Sequence, residues 1–557
     1  MRLKKFRVII FPMLFAVLVG LMFSLACTSP EKSEKQQARV TSSDSYEDLV
    51  ALFREFREFE KPEIINGVPD YSPAAMVKKR EGLEKFRKRL EAIDPNGWPI
   101  PQKVDFVLVW AEMNGMEFYL RVLKPWWRDP VFYLPSQAGA GPVIDLGLDI
   151  PEKRPLSSEE LTKLKAQLEA IPRIYRQAEK NLTEAAGDLA LIALHYIDQE
   201  ASRYQRLAQY LGSHHPDLVP LIEQAEEAVR NYGRWLEANK SRMTAPAGIG
   251  KENYNWWLQK VHLFPYTWDE CLCIVTHEYN RIITFLKLEE NRNRHLPELE
   301  IADTEDKWYH QLEIALNYVL KWLQEEEIMT IPEWLTADKY YDPTQPRRPL
   351  PKTPTIDSRA REREILPGET HEFIGHLFDE LRLERDKRPI RGARRLYNMD
   401  WIRSEGFAVS TEELFMQAGV LDKRPRRGRE VEYLMNASHM SLSLPDLRLH
   451  SNEIDFTQAR HYCAELMPYG WSDPDDPMVW YEQQSNLRFP GFHTGCVMGK
   501  AQFMKIFRER AMQLGRDFKI RDFMDSFLAS GMIPMSLIRW ELTGYDDEIK
   551  KLCPLIK

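Results

Sequence analysis

At 557 residues, with 43 % hydrophobic and 29 % charged residues, the chain can bury a sizeable core and is too apolar for a disordered protein. A net charge of −8 gives a nucleic-acid role no electrostatic support, because such proteins concentrate positive charge on one face. The 15 Trp, 22 Tyr and 25 Phe suit large helical cores and substrate clefts.

Residues 1–26 read as a secretory signal. Arg2, Lys4, Lys5 and Arg7 precede an apolar run from Val8 to Leu25, the order of a cleavable leader. The run ends Ser24-Leu25-Ala26-Cys27, which resembles a bacterial lipobox and implies cleavage before Cys27 and lipid attachment to it. Ser24 departs from the usual Leu or Val there, and without lipidation the run is long enough to remain as a membrane anchor. Residues 27–44 are polar and read as a flexible tether. The expected location is the bacterial cell envelope, on its periplasmic or other extracytoplasmic face, with the membrane reached through the N-terminal lipid.

From there the pattern is helical almost throughout. Leu83, Phe86, Leu90 and Ile93 recur at three and four, the apolar stripe of an amphipathic helix. Val104 to Leu123 predicts a second helix, closed by Pro125. Ser157 with Glu160, and Thr267 with Glu270, are capping boxes that open helices toward Ile171 and across Cys271 to Leu286. Further helices are expected near 184–211, 218–240, 308–325, 404–419, 500–514 and 520–530, with few strands. The Pro-rich stretch 343–357 reads as a connector between a helical N-terminal lobe, 45–342, and a lobe carrying the chemistry, 358–557. The fold class is therefore mainly α. After Cys27 the cysteines are Cys271, Cys273, Cys463, Cys496 and Cys553, an odd number with neither a disulfide scaffold nor a metal motif in its spacing.

The stretch that carries chemistry is His371-Glu372-Phe373-Ile374-Gly375-His376, followed by Glu405. Hydrolytic zinc sites take three protein ligands, often two His and one Glu, and keep a fourth position open. His371, His376 and Glu405 are the candidate ligands of one zinc per chain, and Glu372 is the candidate general base. The two histidines stand at i and i+5, where the common motif has i+4. In a regular helix five residues turn the second by about 140° from the first. A π-bulge would bring them back together, and such bulges are frequent at functional sites. Gly375, with its wide backbone freedom, is the expected place for it. The six-residue pattern resembles the zinc motif of dipeptidyl peptidase III.

The rest of the chain adds a wider resemblance. Asp70-Tyr71-Ser72, Ala111-Glu112-Met113-Asn114-Gly115, Gly250-Lys251-Glu252-Asn253-Tyr254, Ser404-Glu405-Gly406-Phe407-Ala408, Asp446-Leu447-Arg448-Leu449-His450, Gly499-Lys500 and Ser530-Gly531-Met532-Ile533-Pro534 resemble segments of the bacterial family known as domain of unknown function 885. Many members of that family are predicted lipoproteins. The resemblance implies a mainly helical fold distantly like the two-lobed zinc oligopeptidases that enclose a deep central cleft. The family hallmark is H-E-x-x-P-G-H-H followed by an E-G-W-A-like segment, and His371, Glu372 and Glu405 match it directly. This chain is one residue shorter before Gly375-His376, lacks the Pro and has a single His. Either His376 is the second ligand at altered spacing, or the site has been lost; the persisting Gly-His and Glu405 segment favour the first. A Tyr common at about the position of Cys496, a candidate transition-state donor, is absent.

A hydrolase needs a donor for the developing oxyanion, worth about 2.7–4 kcal/mol. His450, His493 and Arg448 are the candidates, in that order. Glu412 and Glu413, about two turns past Glu405, are candidates to support a ligand histidine through a hydrogen bond. His277-Glu278, on a helix with no second nearby His, reads as structural, and Gly250 to Tyr254 lacks the spacing of a phosphate loop. Three functions follow: a zinc peptidase, a zinc hydrolase of other amides or esters, or a non-catalytic lipoprotein keeping the scaffold for binding. The peptidase, acting on peptides or small amides, is the leading expectation.

Overall fold

The computed structural model of the chain describes residues 45–145, 154–344, 347, 350 and 354–557. The signal, Cys27 and the tether lie outside the described residues, as does part of the Pro-rich connector. The N-terminal helices are α1 (Tyr46–Glu60), α2 (Pro73–Glu91), α3 (Ile100–Phe118), α4 (Pro125–Arg128), α5 (Ser158–Asn181), α6 (Gly187–Leu211), α7 (Val219–Asn239), α8 (Lys251–Lys260), α9 (Trp268–Asn293) and α10 (Glu305–Glu325). After the connector come α11 (Ile356–Arg361), α12 (Leu366–Glu369), α13 (Phe378–Arg385), α14 (Trp401–Gln417), α15 (Gly428–His450), α16 (Phe456–Leu466), α17 (Pro477–Arg488), α18 (Phe492–Leu514), α19 (Ile520–Ser530), α20 (Met535–Thr543) and α21 (Asp547–Leu552). One small hairpin, β1 (Ile64–Ile65) and β2 (Val68–Pro69), is the sole sheet among the described residues. Its Asn66-Gly67 turn has φ of 51° and 77°, the left-handed pair that a tight two-residue turn requires. The chain is mainly α, as its periodicity predicts.

Local chemistry explains the helix starts. The Ser157 and Thr267 hydroxyls accept from the backbone of Glu160 and Glu270, whose carboxylates accept in return from the capping residues. Ser72 caps α2, with Pro73 at the first helical position, where a missing N–H costs nothing. The helix expected over 104–123 is α3 extended by a π-helical segment, Tyr119–Leu123, that stops at left-handed Lys124 before Pro125.

Most buried apolar side chains among the described residues form one continuous cluster from Leu49 to Ile556, with small satellites around Val431 and Val479. α9 lies along α15 and α10 along α12, so helices from both sides of the connector share that core. α14 and α18 pack extensively against each other. A Cβ placed on Gly406 would sit 2.3 Å from Gly499 Cα, so the two backbones touch only because both residues lack side chains. Gly406→Ala is expected to lower stability by about 1–3 kcal/mol or more, the cost of overpacking a filled contact. A denaturant titration of the two proteins checks this.

Candidate metal centre

His371 and His376 lie in a π-helical segment, Thr370–Leu377, placed between α12 and α13. The extra residue in this turn brings the i and i+5 imidazoles onto one side. Their Nε2 atoms stand 3.0 Å apart. Gly375 has helical backbone, so the expected reason for it is corrected. A Cβ there would lie 2.5 Å from Ala408 Cβ and 2.6 Å from Ala408 Cα. Glycine is required because the π segment presses directly on α14, one turn from Glu405.

α14 is fixed at its start in two ways. Buried Arg403 pairs with Asp379 of α13, and the Trp401 indole donates to Phe492 O at 2.8 Å. Glu405 is thereby held against the imidazoles, with Oε1 3.3 Å from His376 Nε2 and Oε2 3.8 Å from His371 Nε2. The two imidazole nitrogens and the Glu405 carboxylate thus form a triangle whose shortest separations are 3.0, 3.3 and 3.8 Å, the last two to different oxygens of Glu405. Ligands about 2.0–2.1 Å from a shared zinc at tetrahedral angles lie about 3.3–3.4 Å apart. The edges bracket that value, and the donor set of two imidazoles and a carboxylate suits zinc.

The outer contacts decide which nitrogen is free. Glu412 Oε1 accepts from His371 Nδ1 at 2.6 Å, which puts the ring proton on Nδ1 and turns the Nε2 lone pair into the triangle. The same oxygen faces His439 Nε2 at 3.0 Å, and Glu412 Oε2 accepts from Asn436 Nδ2 at 3.1 Å. Asn436 Oδ1 in turn accepts from the buried Lys500 ammonium at 3.0 Å. Burial opposes ionisation of Glu412, but the charges and hydrogen bonds of His439 and His371 hold its carboxyl well below the ordinary range. Burial alone would lower His371; the Glu412 hydrogen bond, with the charges of Glu412, Glu405 and Glu372, raises it to about 9. His376 is steadied at Nδ1 by Ser404 Oγ, 3.2 Å away. Replacing Glu412 by Gln is expected to weaken zinc affinity by roughly tenfold to a hundredfold, the usual effect of an outer-shell change, as read by competition with a chromogenic chelator.

Glu372 follows the first histidine, half-buried, with Arg361 Nη2 3.8 Å from its Oε1. Arg361 is itself fixed by Asp357 and Glu369. Other residues singled out from the sequence fall elsewhere. His450 is fully buried; its Nε2 donates to Asn486 O at 2.8 Å, its ring packs on Tyr254, and burial pushes its pKa down to about 4. The Arg448 guanidinium covers the Tyr462 ring at 4.6 Å. Glu413 pairs with Arg281 and Lys500, and Glu278 with the same two cations. Ile249 and Asn253 line a cavity of about 260 Å³ with Arg121 and Arg128, and none of the triangle residues lines it. His493 sits nearer the triangle: it is one turn before Cys496 on α18, whose Sγ donates to Glu405 Oε2 at 3.6 Å.

Two residues of the centre have no sequence expectation behind them. His439 stacks on His371, rings 5.5 Å apart and 14° from parallel, and Asn436 completes the hold on Glu412. Both belong to α15, and recognising that helix would have exposed them as a pair spaced i, i+3 on one face.

No protein-family model matches the chain, and no curated protein matches it. In structure it is similar to a presumptive lipoprotein of unknown function from Shewanella oneidensis, 14 % identical over 90 % of this chain and 100 % of that one, with a TM-score of 0.68. It is similar also to a presumptive lipoprotein from Colwellia psychrerythraea, again 14 % identical over 90 % and 100 % of the two chains, with a TM-score of 0.67. At that identity the likeness establishes a shared fold. No helix among the described residues is long and apolar enough to cross a membrane.

Proposed function

We propose that the chain is a zinc-dependent hydrolase of peptides or small amides, held at the bacterial cell envelope by lipid on Cys27. The observation that carries this reading is the triangle of His371 Nε2, His376 Nε2 and the Glu405 carboxylate, with edges of 3.0 to 3.8 Å. The resemblance to domain of unknown function 885 and to two-lobed zinc oligopeptidases implies the same chemistry. The two structural neighbours support the lipid anchor, since each is described as a presumptive lipoprotein.

When bound, zinc would polarise the scissile carbonyl and acidify a water beside it. Glu372 would take the proton of the attacking water on its carboxylate and pass it to the departing nitrogen. Glu412 and Ser404 hold the two imidazoles in the orientation the ion needs, and Arg361 sets a cation beside Glu372.

A non-catalytic lipoprotein that binds without cutting is the second reading, and Cys496 favours it. The thiol occupies the α18 face against Glu405, about where the resemblance places a tyrosine, and a thiol is a weak hydrogen-bond donor. The test is incubation of the zinc-loaded chain with a mixed peptide pool, read by mass spectrometry. Cleavage abolished by a chelator and restored by zinc is the expected result. A zinc-loaded chain that leaves every peptide and amide intact would leave the second reading in place.

A further inference from the structure

The cavity of about 260 Å³ beside α8 takes no part in the hydrolytic steps above. Arg121, Arg128, Glu184, Ile249 and Asn253 are among the residues lining it. Most of its charges are already matched. Arg121 Nε donates to Glu117 at 2.6 Å and its Nη1 to Asn253 Oδ1 at 3.2 Å, with the guanidinium over the Trp256 ring. Glu184 is held by the Lys124 ammonium at 3.0 Å.

Arg128 differs. Its Nη1 donates to Val122 O at 3.2 Å and its Nη2 to Pro246 O, and both acceptors are neutral. The two carboxylates whose charges reach it, Glu184 and Asp129, are bound by Lys124 and Arg488 instead. Burial pulls the Arg128 pKa below the ordinary guanidinium range against those charges, yet a guanidinium in a protein stays charged. One positive charge is left over on the wall of the cavity. The first turn of α8 faces the same way. Its cap residue, Gly250, has no side chain to offer, so the backbone N–H groups of the first turn lack a cap. Ile249 and Asn253, on either side of that turn, line the cavity, and nothing lies within 4 Å of where a Gly250 Cβ would sit. The N-terminal end of a helix favours negative charge.

We propose that this cavity is a binding site for a small carboxylate, held by the guanidiniums of Arg121 and Arg128. The charge count selects the class. Arg121 cancels Glu117 and Lys124 cancels Glu184, which leaves the one charge of Arg128 for a monoanion to neutralise. A dianion would leave excess negative charge beside Glu184. A planar carboxylate also matches the fork of an arginine, which can grip both oxygens. Size points the same way, since drug-sized ligands occupy pockets of about 300–1,000 Å³ and this cavity is smaller. The site is independent of the hydrolase reading, because no triangle residue lines it.

The experiment is calorimetric titration of the chain from residue 28 with three probes: N-acetylalanine, its amide, and sulfate. The acid is expected to bind about tenfold or more tightly than the amide, the scale of a charge-assisted hydrogen bond, and more tightly than sulfate. Arg128→Met and, separately, Arg121→Met are expected to remove the preference for the acid. The Arg121 side chain is 43 % exposed, so its replacement guards against a failure of Arg128→Met to fold. Glu184→Gln is expected to act in the opposite direction and raise the affinity for sulfate, because it frees the charge of Lys124. Damage to the fold would not produce a gain. His376→Ala is expected to keep the preference, which separates this site from a carboxylate bound at the triangle. Equal binding of acid and amide, or no binding of either, would overturn the proposal. So would a preference that survives both arginine substitutions or is lost in His376→Ala, and so would sulfate that binds more tightly than the acid or is unmoved by Glu184→Gln.

Discussion

The chain from residue 28 onward, purified and incubated with zinc, is expected to hold about one zinc per molecule, and His376→Ala is expected to hold none after dialysis. The reason is geometric. His376 Nε2 lies 3.0 Å from His371 Nε2 and 3.3 Å from Glu405 Oε1, so it closes the two shortest edges of the donor triangle. Losing an outer hydrogen bond to a ligand costs roughly tenfold to a hundredfold in affinity; losing a ligand costs more, since two protein donors no longer enclose the ion. The measurement is elemental analysis beside a melting curve. Native protein should melt higher with zinc present, because an ion that binds the folded state alone stabilises it by mass action, and the variant should show no shift. Metal retained by His376→Ala but lost by His439→Ala would move the ion to the neighbouring group of His371, Glu412 and His439 and overturn the ligand assignment. No metal in either protein would remove the hydrolase altogether.

How far the sequence reveals this centre depends on what surrounds each residue. The i+5 spacing of His371 and His376 demands a local widening of the helix, and the π segment at Thr370–Leu377 answers that demand directly. α2, α5, α9 and α10 show stripes because one face meets water. α15 shows none: Glu432, Asn436, Ser441, Ser443, Asp446 and His450 are all buried, and Pro445 interrupts the run. Polar residues inside the core erase the apolar stripe on which helix recognition rests. α17 hides in the same way behind buried Glu482, Gln483, Gln484, Ser485 and Asn486. The residues the sequence fails to reveal, His439 and Asn436, sit on the first of these two helices. That is expected physically, because a core tolerates such groups only when a partner from another element meets them, and such partners lie far away in the chain. Gly375 and Gly406 carry a different lesson. Their need for a missing side chain comes from Ala408 and Gly499, on helices whose contact no local pattern encodes.

Glu372→Gln is expected to keep the zinc and lose the hydrolysis. The substitution removes a proton acceptor and leaves size and hydrogen-bonding capacity nearly unchanged, so His371, His376 and Glu405 retain their places. Glu372 is not among the three donors of the triangle, and zinc content should stay at about one per chain. A positioned acid–base group contributes typically 10²–10⁴-fold to rate, so kcat should fall by about that factor with KM little changed. The half-buried setting of Glu372 suits a proton acceptor. Its side chain is 31 % exposed, against 22 % for His376 and 11 % for His371 and for Glu405, so water and substrate reach it more readily than they reach the ligands. Arg361, 3.8 Å from its Oε1, provides a second check. Arg361→Met removes a cation from beside the base, and its effect should fall on kcat and be smaller than that of Glu372→Gln. A Glu372→Gln protein that hydrolyses peptides at the native rate would show that another group takes the proton, and the Glu412–His439 contact, 3.0 Å long, would be the next place to look.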